Sequence, residues 1–68
     1  MRLEKGEILV VGLDADGYEV SGRGTHDTLK DAKQSAKQLV QEPEAIAAGL
    51  VKVEVRNDKG ECVADYFA

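Results

Sequence analysis

The sequence predicts an α+β fold: a four-stranded antiparallel sheet made of two β-hairpins in ββαββ order, with one main helix packed on one face. Two runs rich in β-branched residues, Ile8–Leu13 and Leu50–Arg56, are each followed by a four-residue turn segment ending in glycine. Between them lies a capped stretch whose apolar residues recur with helical rather than strand spacing. No linker or low-complexity segment interrupts this order, so residues 1–68 read as one small domain.

The first hairpin runs from about Glu7 to Gly24. Ile8-Leu9-Val10-Val11-Gly12-Leu13 forms its first strand, Asp14-Ala15-Asp16-Gly17 its turn and Tyr18-Glu19-Val20-Ser21 its return. Thr28 is a natural N-cap, with Asp31 three residues later as an approximate capping box. Leu29, Ala32, Ala36, Leu39 and Val40 then share one helical face, an arc of roughly 100°. Pro43 stops that helix near Gln41 and suits the first position of a short second one, which Gly49 closes. In the second hairpin Val51, Val53 and Val55 alternate with Lys52, Glu54 and Arg56, which makes one face apolar and the other charged. Asn57-Asp58-Lys59-Gly60 is its turn and Glu61–Phe67 its return. Aligning the turns puts Asp14 on Asn57 and Gly17 on Gly60, a likeness that shared turn chemistry explains better than duplication.

The first strand is apolar on both sides, Ile8 and Val10 against Leu9, Val11 and Leu13, whereas one helix covers one sheet face. Either this strand is central and covered from both sides, or Leu9, Val11 and Leu13 form an interface with a second copy or a partner.

Composition narrows the function classes. A chain of 68 residues buries only ~60% of the surface its unfolded form exposes, so the core is thin. Cys62 is the single cysteine, which rules out an internal disulfide and a cysteine-built zinc site and suits a reducing, cytoplasmic setting. The charged opening Met1–Gly6 leads into Ile8–Val11, a run far too short for a membrane span or a signal-peptide core. With 43% hydrophobic and 32% charged residues the chain is globular rather than disordered. Its net charge of -4 argues against a domain that wraps nucleic acid with its whole surface, though not against a local basic patch.

The motifs that look like known chemical sites fall short. Gly22-Arg23-Gly24-Thr25-His26-Asp27-Thr28 joins a strand to a helix start, but Asp27 stands where a dinucleotide fingerprint needs glycine, and Asp27 and Asp31 would repel a phosphate. A flexible connection is the better reading. Asp14-Ala15-Asp16-Gly17 looks like part of a calcium loop, yet Gly12 and Arg23 occupy the positions where carboxylates are required. His26 and Cys62 are single and lack an orienting third residue; His26 is expected exposed in the connection and Cys62 packed on the last strand. No catalytic residue, cofactor site, metal ligand or small-molecule substrate is indicated, so the chain is not expected to be an enzyme.

Lys30, Lys33 and Lys37 recur at spacings of three and four beside Gln34 and Gln41, opposite the Leu29/Leu39 face. With Asp31 the only acid there, the helix carries a local charge of about +2, and Arg23 and His26 extend the stripe at its start. Such a stripe suits RNA, DNA or an acidic protein surface. A solvated face explains it as readily, since lysine is a good helix former and no aromatic residue sits among the lysines to stack on bases.

From Asp14 to Val40, about 27 of the 68 residues, the chain resembles the HicB-type antitoxin domain. Asp16-Gly17-Tyr18 and Thr28-Leu29-Lys30-Asp31-Ala32 stand in that family's order, and Ala36 and Leu39 continue its helix pattern. The segment Ser21–His26 is too short for the extra strand of that family, and its DNA-binding tail is missing. The hairpin–helix–hairpin plan also resembles several small uncharacterised bacterial families. What the HicB resemblance implies is a protein-binding role.

The leading expectation is a small non-catalytic interaction module that binds a protein partner or itself as a homodimer through a sheet face or edge. The alternative is a weak nucleic-acid-binding domain using Arg23, Lys30, Lys33 and Lys37. No membrane partner is expected.

Overall fold

The structure, a computed structural model, describes residues 6–68; the charged opening Met1–Lys5 lies outside the described residues. The chain runs β1 (Ile8–Leu13), β2 (Glu19–His26), α1 (Leu29–Leu39), α2 (Pro43–Ala47), β3 (Lys52–Arg56) and β4 (Cys62–Phe67). The four strands form one antiparallel sheet in the order β2-β1-β3-β4, with α1 packed on one face. The strand that is apolar on both sides is therefore central, paired with β2 on one flank and β3 on the other. Among the described residues no helix is long and apolar enough to cross a membrane.

Both hairpin turns solve the same backbone problem in the same way. Asp14 Oδ1 accepts from the N–H groups of Asp16 and Tyr18, each at 2.9 Å, and Asn57 Oδ1 accepts from those of Lys59 and Glu61 at 2.9 and 3.0 Å. Gly17 and Gly60 then take φ of 87° and 80°, where a β-carbon is disfavoured. The aligned Asp/Asn and Gly positions are turn chemistry, as their spacing suggested.

β2 is longer than expected. Gly22–His26 does not form a flexible connection but pairs with β1, from Val11↔Gly22 to Ile8↔His26. The whole length of β1 offers ladder groups, and two register shifts let the glycine-containing strand follow it. Only Asp27 and Thr28 separate β2 from α1.

Thr28 caps α1, its Oγ1 accepting from the Asp31 N–H at 3.2 Å. Thr28→Ala is expected to cost about 1 kcal/mol, read as a lowered midpoint in urea with an unchanged slope. Ala32, Ala36 and Leu39 are buried as the spacing predicts, but Leu29 is exposed and Val40 only half-buried. Leu29 is the first residue of the helix, directly after the Thr28 cap. The core unites Val10, Ala32, Ala36, Leu39, Ala45, Leu50, Val53 and Val55. Val51, expected on the same face as Val53 and Val55, precedes the strand and is exposed. Gly12 lies on the helix side of β1, opposite Val53, and leaves room for Leu39 and Leu50 to sit against bare backbone.

Candidate interaction edge

The strand order makes β2 and β4 the two sheet edges, and they differ in kind. β2 carries both register shifts of its ladder, and the residue skipped between Gly22 and Gly24 is Arg23. A bulge re-aims the side chain it carries, and Arg23 forms an ion pair with Glu42 at the start of α2. Irregularity of this sort is a common way to keep an edge from pairing.

β4 has one register shift, which skips Val63 between Cys62 and Ala64, and is regular over Ala64–Phe67. The Ala68 N–H donates to the Val51 carbonyl at 2.9 Å, continuing the register Lys52↔Phe67 and Val53↔Tyr66. Directly hydrogen-bonded pairs alternate along an antiparallel ladder. Ala64 and Tyr66 therefore turn their main-chain groups toward β3, while Asp65 and Phe67 turn theirs outward. Among the described residues no strand lies beyond them. Val63 and Phe67 are exposed, the latter at 67%.

Cations flank this edge on both sides of the sheet. On the helix side Lys37 stands over the Tyr66 ring, its Nζ 6.0 Å from the centroid. Lys30, Lys33, Gln34 and Lys37 line a shallow depression of about 340 Å³. On the opposite side Lys52 lies over Phe67 at 5.9 Å. The lysine stripe thus does have an aromatic neighbour, one that no local sequence signal indicates because Tyr66 is distant in the chain. Arg23 does not extend the stripe, since its guanidinium is engaged by Glu42.

Leu9, Val11 and Leu13 point to the face away from α1, beside Arg56, Glu54 and Lys52 of β3. Val11 and Leu13 are nonetheless only 3% and 9% exposed within the single chain, and Leu9 is half-buried. Long side chains on the neighbouring strand shield apolar neighbours with their stems while keeping their charges wet. Here the charges form a chain: Glu54 accepts from Lys52 Nζ at 2.9 Å and from Arg56 Nε at 2.9 Å. The Lys52 and Arg56 hydrogen bonds hold the Glu54 carboxyl below the usual glutamate range, and the bond to Glu54 raises Lys52 above the usual lysine range.

A carboxylate depressed by folding stabilises the native state above its unfolded value, ~4.3 for glutamate, and loses that contribution as pH falls through the lower native value. Glu54→Gln is expected to lower the melting temperature at neutral pH and to flatten the acid side of its pH dependence below about pH 4. Identical acid limbs for the variant and the parent chain would remove the Lys52–Glu54–Arg56 chain as a source of stability.

The remaining reactive groups do not meet. His26 ends β2 and is half-buried, rather than free in a connection, with Nε2 2.8 Å from Ser35 Oγ and Nδ1 buried without a partner. Cys62 starts β4 and is exposed rather than packed. Two strands separate them, so they do not form a nucleophile–base pair. Among the described residues no three His, Cys, Asp or Glu side chains converge as metal ligands. The Asp14–Gly17 carboxylate is spent on its own turn, and Gly22–His26 on the β1 ladder. No protein-family model, curated protein or solved structure matches this chain.

Proposed function

We propose that this chain is a small non-catalytic interaction module that binds a protein partner through the β4 edge of its sheet. The observation behind this reading is the contrast between the edges: β2 is shifted in register twice and tied to Glu42, while β4 is regular over Ala64–Phe67 and presents outward main-chain groups and the exposed Phe67 there. The resemblance to HicB-type domains agrees with a protein partner. The exposed Cys62 fits a reducing, cytoplasmic setting, in which it stays a thiol. Tagged purification from the source cell at moderate salt, with mass determination of the complex, tests the reading. A stoichiometric protein partner or a defined homodimer supports it; a strictly monomeric chain with nothing bound overturns it.

A second reading, weak nucleic-acid binding, is favoured by one observation: Lys30, Lys33 and Lys37 have no ion-pair partner among the described residues. Binding through a few phosphates should weaken steeply between low and physiological salt, with each lysine removed reducing the slope. Lys33→Glu with unchanged oligonucleotide affinity removes this alternative.

A further inference from the structure

The two features of the β4 side belong to one surface, and together they specify a ligand. An open strand edge is matched by the backbone of another extended polypeptide, whose N–H and C=O groups alternate at the same spacing. Nucleic acid offers no such ladder. It could satisfy the lysines but would leave the outward groups of Asp65 and Phe67 unused. The Tyr66 ring is also unavailable for base stacking, since it is half-buried and Lys37 already stands over it.

Side-chain chemistry follows from strand parity. A strand laid against β4 places alternate residues on the helix side, next to Tyr66, Lys37 and the depression shared with Lys30 and Lys33. Those positions favour carboxylates because Lys30, Lys33 and Lys37 have no ion-pair partner among the described residues, a local attraction that acts against the net charge of -4. The intervening residues fall on the other side, beside Asp65 and Phe67, where an apolar side chain buries exposed surface and a carboxylate meets Asp65. We infer that β4 accepts an extended segment of a partner protein in which acidic and apolar residues alternate, the acids turned toward Lys37 and Lys33. This inference rests on the interaction-module reading and deepens it by naming the class of partner.

A capped octapeptide of alternating valine and glutamate is the probe, titrated into the isotope-labelled chain and followed by amide chemical shifts. The shifts are expected to concentrate on Val63–Phe67 and on Lys33 and Lys37, and to shrink as salt rises. A peptide with lysine in place of each glutamate is expected to bind at least tenfold more weakly. Asp65→Pro removes an outward N–H without touching the β3 ladder and also removes a negative charge. A tenfold loss of peptide binding in that variant therefore reports the backbone ladder rather than electrostatics. Lys37→Glu, an exposed change that leaves the sheet intact, is expected to weaken binding by a similar factor. Equal binding of both peptides, or shifts centred on β2 or on the Leu9 face, overturns the proposal. So does a single-stranded oligonucleotide that shifts the same β4 amides, displaces the peptide and binds tighter than it does. A chain that captures its cellular partner undiminished by Asp65→Pro keeps the interaction module and discards this edge.

Discussion

Leu39→Asp is expected to leave the chain unfolded at room temperature. Leu39 is 1% exposed within the apolar cluster, close to Gly12 of β1. An aspartate there either stays charged without a partner or takes up a proton and remains an unsatisfied polar group, and both cost several kcal/mol on top of the lost apolar burial. A domain of this length has roughly 3–10 kcal/mol in total, so little native population survives. Circular dichroism should show a loss of helix and no cooperative thermal transition. Leu39→Met, which conserves volume, should cost less than about 1.5 kcal/mol and serves as the control. A melt for Leu39→Asp that superimposes on the parent curve would mean that α1 packs through another face.

The second large effect is expected from a change that adds only carbon. A β-carbon at Gly12 would lie 2.6 Å from Leu50 Cδ1, 3.2 Å from the Ser21 carbonyl oxygen and 3.4 Å from Leu39 Cδ2. The leucine ends can shift, but the Ser21 oxygen belongs to the β1–β2 ladder and cannot move without opening it. Gly12→Val should therefore cost about 1–3 kcal/mol, a fall in melting temperature on the order of 5–20 °C. The clash also makes a coupling prediction. Leu50→Ala creates space where Gly12→Ala needs it, so the double variant should lose less stability than the sum of the two single changes. Strict additivity would place Leu50 away from Gly12.

What could be read from the residues in advance was local. The turns were legible because Asp14 and Asn57 accept from backbone groups within four residues, and Gly17 and Gly60 supply a conformation that other residues resist. The cap of α1 was legible for the same reason, Thr28 and Asp31 being neighbours. The end of β2 was not. Glycines and a lone arginine read as a connection in isolation, and only the presence of β1 alongside turns Gly22–His26 into a strand. Exposure of Leu29 and Val51 is not legible in the residues either, since periodicity assigns faces but not how far the covering layer extends.

The candidate site shows the same division. Lys30, Lys33 and Lys37 were identifiable from their spacing, and that they share a side of α1 needed no structure. Their neighbours Tyr66 and Phe67 were not, because both come from a strand some thirty residues later whose place at the edge no local signal encodes. Arg23 is close to the stripe in the chain, but the residue sits in a bulge and pairs with Glu42 instead. Leu9, Val11 and Leu13 looked like an interface because one helix covers one face. The long side chains of β3 flank them in the single chain, a consequence of which strand lies next to β1.

By itself the sequence determined the element types, their order, both turns, the helix cap and the apolar stripe of α1, since each depends on interactions spanning a few residues. Only the tertiary structure decided which strands are edges, which apolar residues are already buried and which cations remain unpaired. Strand order is set by the joint burial of all the apolar stripes at once, and edge exposure and charge pairing are consequences of that order.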